Sequence, residues 1–188
     1  YLRNECRQSD CQGALTVVIG ENGLNLAQNS PLKNQPIIKV GNWLGPVIVA
    51  AAQEGVKKLL LVGYHGKLVK LAGGIFHTHH HLADGRLEIL VALAVKEEIP
   101  LPLIKLISQA TSVEAALLSL EEQDPFTAKT LWLRMANEVE NKSHGYVNRY
   151  ISTSMQIGAV LFDRQRTLRW AGKFGIQQIN ALSLFLKD

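Results

Sequence analysis

Apolar residues fall in short runs separated by glycine, proline and polar clusters, and the length of those runs predicts alternating strands and helices. Residues 14–20 (ALTVVIG) are a continuous, β-branched run that reads as a strand, closed by a turn at Glu21-Asn22-Gly23. The polar, proline-containing stretch 29–36 reads as a surface loop. From Ile37 the pattern is strand, glycine-bounded turn and helix: IIKV, GNWLG, then an alanine-rich stretch ending at Gly55. A second apolar strand follows at 58–63 (KLLLVG), and a run without alternation suits a parallel strand covered on both faces. A helix of about ten residues is the crossover that parallel pairing requires, so 37–63 is a predicted βαβ unit.

Helical spacing then dominates. A short helix between glycines is expected at 68–71, and another over 83–98, where Leu87, Leu90, Val91 and Ala94 share a face. Ile99-Pro-Leu-Pro102 stops it. Thr111-Ser-Val-Glu114 has the capping-box pattern, and Asp124-Pro125 reads as an N-cap followed by proline at the first helical position. Two further helices follow, the second running towards Gly145. Residues 158–162 (GAVLF), the turn 163–166 and residues 167–170 read as an antiparallel hairpin at a sheet edge, and a terminal helix is expected over 176–186. The fold class is α/β: three layers, a mostly parallel sheet with βαβ units and an antiparallel edge hairpin near the C-terminus.

With 188 residues, 47% of them hydrophobic, the chain can bury one good core but not two large ones, so 1–188 is expected to be a single α/β domain. Its longest uncharged apolar run, 43–52, is far short of the roughly 20 residues of a membrane helix and contains Pro46, which argues against a membrane partner. Lys and Arg outnumber Asp and Glu by 20 to 16, yet are scattered rather than gathered into a stripe, so nucleic acid is not indicated. Cys6 and Cys11 match neither a redox pair nor a disulfide framework; with no signal peptide visible, a cytoplasmic location is expected. A start at Tyr1, leading almost directly into a strand, reads as the beginning of a fragment.

Two loops carry the candidate binding chemistry: Gly41-Asn-Trp-Leu-Gly45 and Gly63-Tyr-His-Gly-Lys67, each at the C-terminal end of a predicted parallel strand, where α/β sheets bind ligands. Glycine permits close backbone approach, the amides of the following helix can hold a carboxylate or phosphate, and Lys67 adds a charge-assisted contact. Neither loop has the dinucleotide or Walker spacing, which argues against nucleotide hydrolysis; tight βα turns also need glycine for purely structural reasons. The cluster His77-Thr-His-His-His81 has metal-ligand chemistry, but only His77 and His81 are spaced as two ligands on one helical face. A metal-handling protein and a solvated histidine cluster both remain open. Asp84 can cap a helix and pair with Arg86, or Arg86 can offer its fork to a substrate carboxylate while Asp84 orients His79.

GNWLG followed by LLLVGYHGKLVKLAGGIFHTHHHLADGRLEI resembles the CbiD family, the cobalt-precorrin-5B C1-methyltransferases of anaerobic cobalamin biosynthesis. Gly41, Asn42, Gly45, Gly63, Gly66, Lys67, Lys70, Gly74, Thr78, His79, Asp84, Arg86 and Glu88 match the family pattern, whereas Pro46, Tyr64, His77 and His80 depart from it. Because only His79 of the histidine cluster belongs to the pattern, no metal site is expected. The family's N-terminal glycine- and threonine-rich stretch has no counterpart, so the chain resembles the C-terminal part of a longer two-domain enzyme, inactive alone and partnered by the missing N-terminal half. The resemblance implies methyl transfer from S-adenosylmethionine to C1 of a cobalt-corrinoid substrate. It makes Gly41, Asn42, Gly45, Gly63, Gly66, Lys67, Lys70, Gly74, Thr78 and Arg86 the expected ligand-binding residues, with His79 and Asp84 as a base and its orienting partner if ring conjugation must be restored. The rival is a non-catalytic corrinoid or S-adenosylmethionine binding module. The oligomeric state is not set by the sequence.

Overall fold

The computed structural model describes residues 13–79, 81 and 84–186; Cys6, Cys11, His80 and Ala83 lie outside them. Five strands, β1 (Ala14–Ile19), β2 (Ile37–Val40), β3 (Lys58–Tyr64), β4 (Gln156–Phe162) and β5 (Leu168–Ala171), form one sheet in the order β2-β1-β3-β4-β5. The first three pairings are parallel, with Val17 opposite Ile38 and Leu61 and, one strand further, Leu61 opposite Ala159. β4 and β5 are antiparallel, as the expected edge hairpin requires.

Strand alternation sorts the side chains onto two faces. Leu15, Val17, Ile19, Leu59, Leu61, Ile157 and Leu161 enter the larger core. It is covered by α2 (Leu44–Gln53), α3 (His65–Ala72), α4 (Arg86–Lys96), α5 (Leu101–Gln109), α6 (Val113–Gln123) and α7 (Pro125–Val147). Val18, Leu60, Val62, Val160 and Phe162 enter a smaller core on the other face, under α1 (Gly20–Gln28) and α8 (Lys173–Asn180). That is a three-layer α/β arrangement, with each fully buried Leu or Val contributing roughly 1.5–3 kcal/mol of transfer free energy.

Several elements differ from the expected ones for identifiable reasons. Residues 21–23 are not a turn but the first part of α1, and Gly23 lies buried against Val18 and the Val62 carbonyl. The loop 29–36 contains a 3₁₀ turn, Pro31–Asn34, capped by Ser30. β2 and β3 are joined by α2 as predicted but are not neighbours, because β1 inserts between them. Pro100 and Pro102 end α4 yet also start α5, which the sequence pattern passed over; proline within the first turn replaces an amide that would have had no partner anyway. At α6 the cap is Ser112, whose Oγ accepts from the Ala115 amide at 3.1 Å, one residue later than the capping box implied. The terminal helix is α8, earlier than 176–186; its first amides are held by α7, with Asn137 Oδ1 accepting from Lys173 and the Glu140 carboxylate from Phe174 and Gly175.

Candidate functional site

The chain runs one way from β1 to β2 and the other from β3 to β4, so the order reverses between β1 and β3. Beyond the carboxyl ends of strands at such a reversal, α/β sheets leave a crevice. Here β1 is followed by Gly20, the first residue of α1, at φ +76°, and a Cβ added to it would stand 3.6 Å from Lys67 Nζ. Lys67 lies in the first turn of α3, whose N-cap, Tyr64, makes no side-chain cap.

Beside this crevice a cleft of about 310 Å³ is lined by Asn42, Gly66, Lys67, Lys70, Thr78, His79 and Arg86. These seven come from four places: the loop after β2, the first turns of α3, the segment after α3, and the first residue of α4. Backbone pairing brings them together. α3 stops at Gly74, which takes φ +82° so that the Gly74 and Ile75 amides return to the Leu71 and Lys70 carbonyls at 2.8 and 2.9 Å. The chain then crosses to the β2 loop: the Leu44 and Gly45 amides donate to the Phe76 carbonyl, Trp43 bridges His77, and the Thr78 amide donates to the Asn42 carbonyl at 3.0 Å. Thr78 Oγ1 adds a bond to Asn42 Oδ1, also at 3.0 Å.

Three cations face this cleft, and among the described residues its lining holds no carboxylate. Lys70 is almost wholly buried and donates to the Thr78 carbonyl at 3.2 Å. Burial pushes its amine below the usual lysine range, with Asp84 acting against the shift and Arg86 adding to it. Arg86 spends its fork on Asp84, Nη2 donating to Oδ2 at 2.8 Å and Nε to Oδ1. That fork holds the Asp84 carboxyl below its ordinary value and keeps the guanidinium more firmly protonated.

Of the residues expected to bind a ligand, Gly41, Gly45, Gly63 and Gly74 stand outside the cleft lining. Gly41 is exposed, Gly45 is pressed against the Tyr146 ring, Gly63 packs on Ile19 and Leu68, and Gly74 ends α3. Asp84 faces Arg86, while His79 Nδ1 accepts from the His81 amide at 3.4 Å. No group of three or more His, Cys, Asp or Glu among the described residues is arranged to hold a metal ion, and no helix among them is long and apolar enough to cross a membrane.

Beneath the cleft lies a buried network that sequence reasoning missed. Glu114 on α6 accepts from Tyr64 Oη at 3.0 Å and from His65 Nε2 at 2.7 Å, and Trp132 Nε1 donates to His65 Nδ1 at 3.0 Å. The Tyr64 ring packs directly under Gly66 in the cleft lining. Burial, followed by Glu114, raises the Tyr64 hydroxyl to about 12, so it remains a donor. A signal was available: Glu114 shares one buried face of α6 with Leu117 and Leu120, where an isolated carboxylate needs partners.

Residues 77–173 match the family described as CbiD, C-terminal domain, which is more than half of the chain. The chain belongs to the CbiD family. It is 61% identical over 186 residues to a cobalt-precorrin-5B C(1)-methyltransferase of Prochlorococcus marinus strain NATL1A, covering 99% of this chain and 49% of that protein. The protein of the same name from strain MIT 9313 is 62% identical over 187 residues, covering 100% and 49%. The chain thus spans about half the length of the curated CbiD relatives it matches. No solved structure matches it.

Proposed function

We propose that this chain is the substrate-holding, C-terminal domain of a two-domain cobalt-precorrin-5B C(1)-methyltransferase of cobalamin biosynthesis, working in the cytoplasm with an N-terminal half. The observation carrying this reading is the cleft in which Lys67, Lys70 and Arg86 converge without a lining carboxylate. A corrinoid precursor presents acetate and propionate carboxylates around its rim. Lysine and arginine answer them with charge-assisted bonds of about 1.5–3 kcal/mol each, and Asn42 and Thr78, locked to one another, shape the wall between.

S-adenosylmethionine, in this reading, supplies an electrophilic methyl group to carbon C1. Among the described residues, no carboxylate lines the cleft to answer the cationic sulfonium of that donor, Asp84 being taken up by Arg86. The role of these residues is therefore to bind and orient the acceptor, where positioning alone is worth several orders of magnitude in rate. His79, in the cleft lining, is in this reading the group that removes a proton as ring conjugation is restored. Asp84 acts through Arg86, which it orients.

The test replaces the matching residues of the strain NATL1A relative with this chain and measures methyl transfer. The chimaera is expected to be active, with Lys67→Ala and Arg86→Ala each lowering kcat/KM by roughly 10- to 100-fold. An inactive but folded chimaera, or two substitutions without effect, would overturn the reading. A second reading, a non-catalytic holder whose reacting groups all come from elsewhere, is favoured by the commitment of Asp84 to Arg86 rather than to His79. Unchanged turnover in a His79→Ala chimaera selects it.

A further inference from the structure

Trp43 is 66% exposed, whereas the other two tryptophans, Trp132 and Trp170, are buried. An exposed indole on a loose loop is common, but this one is fixed. Its backbone bridges His77, and the two amides after it hold the Phe76 carbonyl. Its ring meets the His77 imidazole edge-on with centroids 4.4 Å apart. From there the rings continue, His77 to His79 at 6.3 Å and His79 to His81 at 5.0 Å. The ring planes turn by 84°, 57° and 35° from one contact to the next, so the histidines back the indole rather than extend its face, and the contacts reach the cationic cleft at His79. His77 Nδ1 is buried with no hydrogen-bond partner among the described residues, so the imidazole is held there by ring packing.

We propose that the fixed Trp43 indole is a shelf for the conjugated face of a planar macrocycle, and that Trp43 is the residue separating such a macrocycle from other polycarboxylates. The inference rests on the substrate reading above and adds a second recognition element to it. Lysine and arginine grip the carboxylate rim, and that grip is the same for any flexible polyacid. A π-face of fixed orientation rewards only a partner that is itself flat and apolar across its surface. His77 and His79 lie between the two contacts, one of charge in the cleft and one of stacking at Trp43.

Hydrogenobyrinic acid, a metal-free ring-contracted macrocycle with free carboxylates, is a suitable probe because it has no cobalt for the histidines to ligate. Its affinity for the full chain is measured by fluorescence, with citrate as a ring-free competitor, in wild type, Trp43→Ala, Trp43→Phe and Lys67→Ala. Trp43→Ala is expected to weaken the macrocycle about tenfold, in line with the loss of one stacked aromatic, and to leave the citrate inhibition constant unchanged. Trp43→Phe recovers most of the affinity, and Lys67→Ala weakens both ligands. Macrocycle binding unchanged in Trp43→Ala overturns the shelf and leaves the cationic cleft standing. Equal loss of both ligands in Trp43→Ala also overturns it, since Trp43 would then merely build the cleft. A wild-type chain that binds neither probe overturns the substrate reading itself.

Discussion

The indole N–H of Trp132 donates to Nδ1 of His65 at 3.0 Å, deep in the core beneath the cleft. An indole nitrogen only donates, so Nδ1 carries no proton and the single imidazole proton sits on Nε2, pointing at Glu114 at 2.7 Å. His65 and Glu114 are therefore hydrogen-bonded rather than ion-paired, and Trp132 sets that state. Burial, the largest influence, also lowers the His65 pKa from its ordinary 6.5; the hydrogen bond and charge of Glu114, with Asp163, oppose the shift and Arg169 adds to it.

Stability should consequently fall in mild acid. Unfolded His65 takes up a proton below about pH 6.5 while folded His65 does not. Its contribution is thus complete above that pH and is lost as pH drops towards the depressed folded value, at up to about 1.4 kcal/mol per pH unit. Urea unfolding at pH 7.5, 6.5 and 5.5 measures this, and His65→Gln should remove that part of the slope. An equal slope in the variant would place the titration elsewhere.

Glu114→Leu strands two donors, the buried His65 Nε2 and the half-buried Tyr64 Oη. A loss of about 2–4 kcal/mol is expected from the unfolding midpoint, whereas Tyr64→Phe, which leaves the His65 bond intact, should cost about 1 kcal/mol.

At Gly74 a Cβ would meet nothing within 4 Å, so the cost of Gly74→Ala is the left-handed backbone alone. About 1–2 kcal/mol is expected, seen as a drop in Tm of roughly 2–8 °C. A larger fall would mean that the 76–78 segment had detached from 42–45 as well.

Lys70→Met should separate stability from binding. The side chain is 2% exposed, and a methionine of similar shape avoids the cost of burying an ammonium. Thermal stability is expected within about 1 kcal/mol of wild type, with weakened binding of hydrogenobyrinic acid. Intact binding would show that the Lys70 amine serves packing alone.

Much of the fold was legible because its signals are local. The continuous run 58–63 announced a covered parallel strand, and Asp124-Pro125 marked the start of α7 with its Asp124 Oδ1 cap on the Thr127 amide at 3.0 Å. What escaped was set by distant neighbours. Gly23 looked like a turn residue until Val62 was seen lying over it. The place of β1 between β2 and β3 depends on sheet assembly, on which the crossover pattern is silent. The resemblance pointed to Lys67, Lys70 and Arg86, which do share a cleft, but not to the Asn42 and Thr78 bond that forms its wall. Glu114 was misread because a one-residue shift of the cap turns it from solvent to core.

β4 pairs along its length with β3, Lys58 opposite Gln156 through Tyr64 opposite Phe162, yet the region shared with the family model begins only at residue 77. The span of the family model and the unit that folds are therefore different lengths of chain. A peptide cut at residue 77 would carry α4 to α8 and a two-stranded ribbon but leave one side of β4 as an open, aggregation-prone edge. Anyone trimming this protein for expression should set the boundary by the sheet, upstream of Ala14, and not by the start of the family model at residue 77.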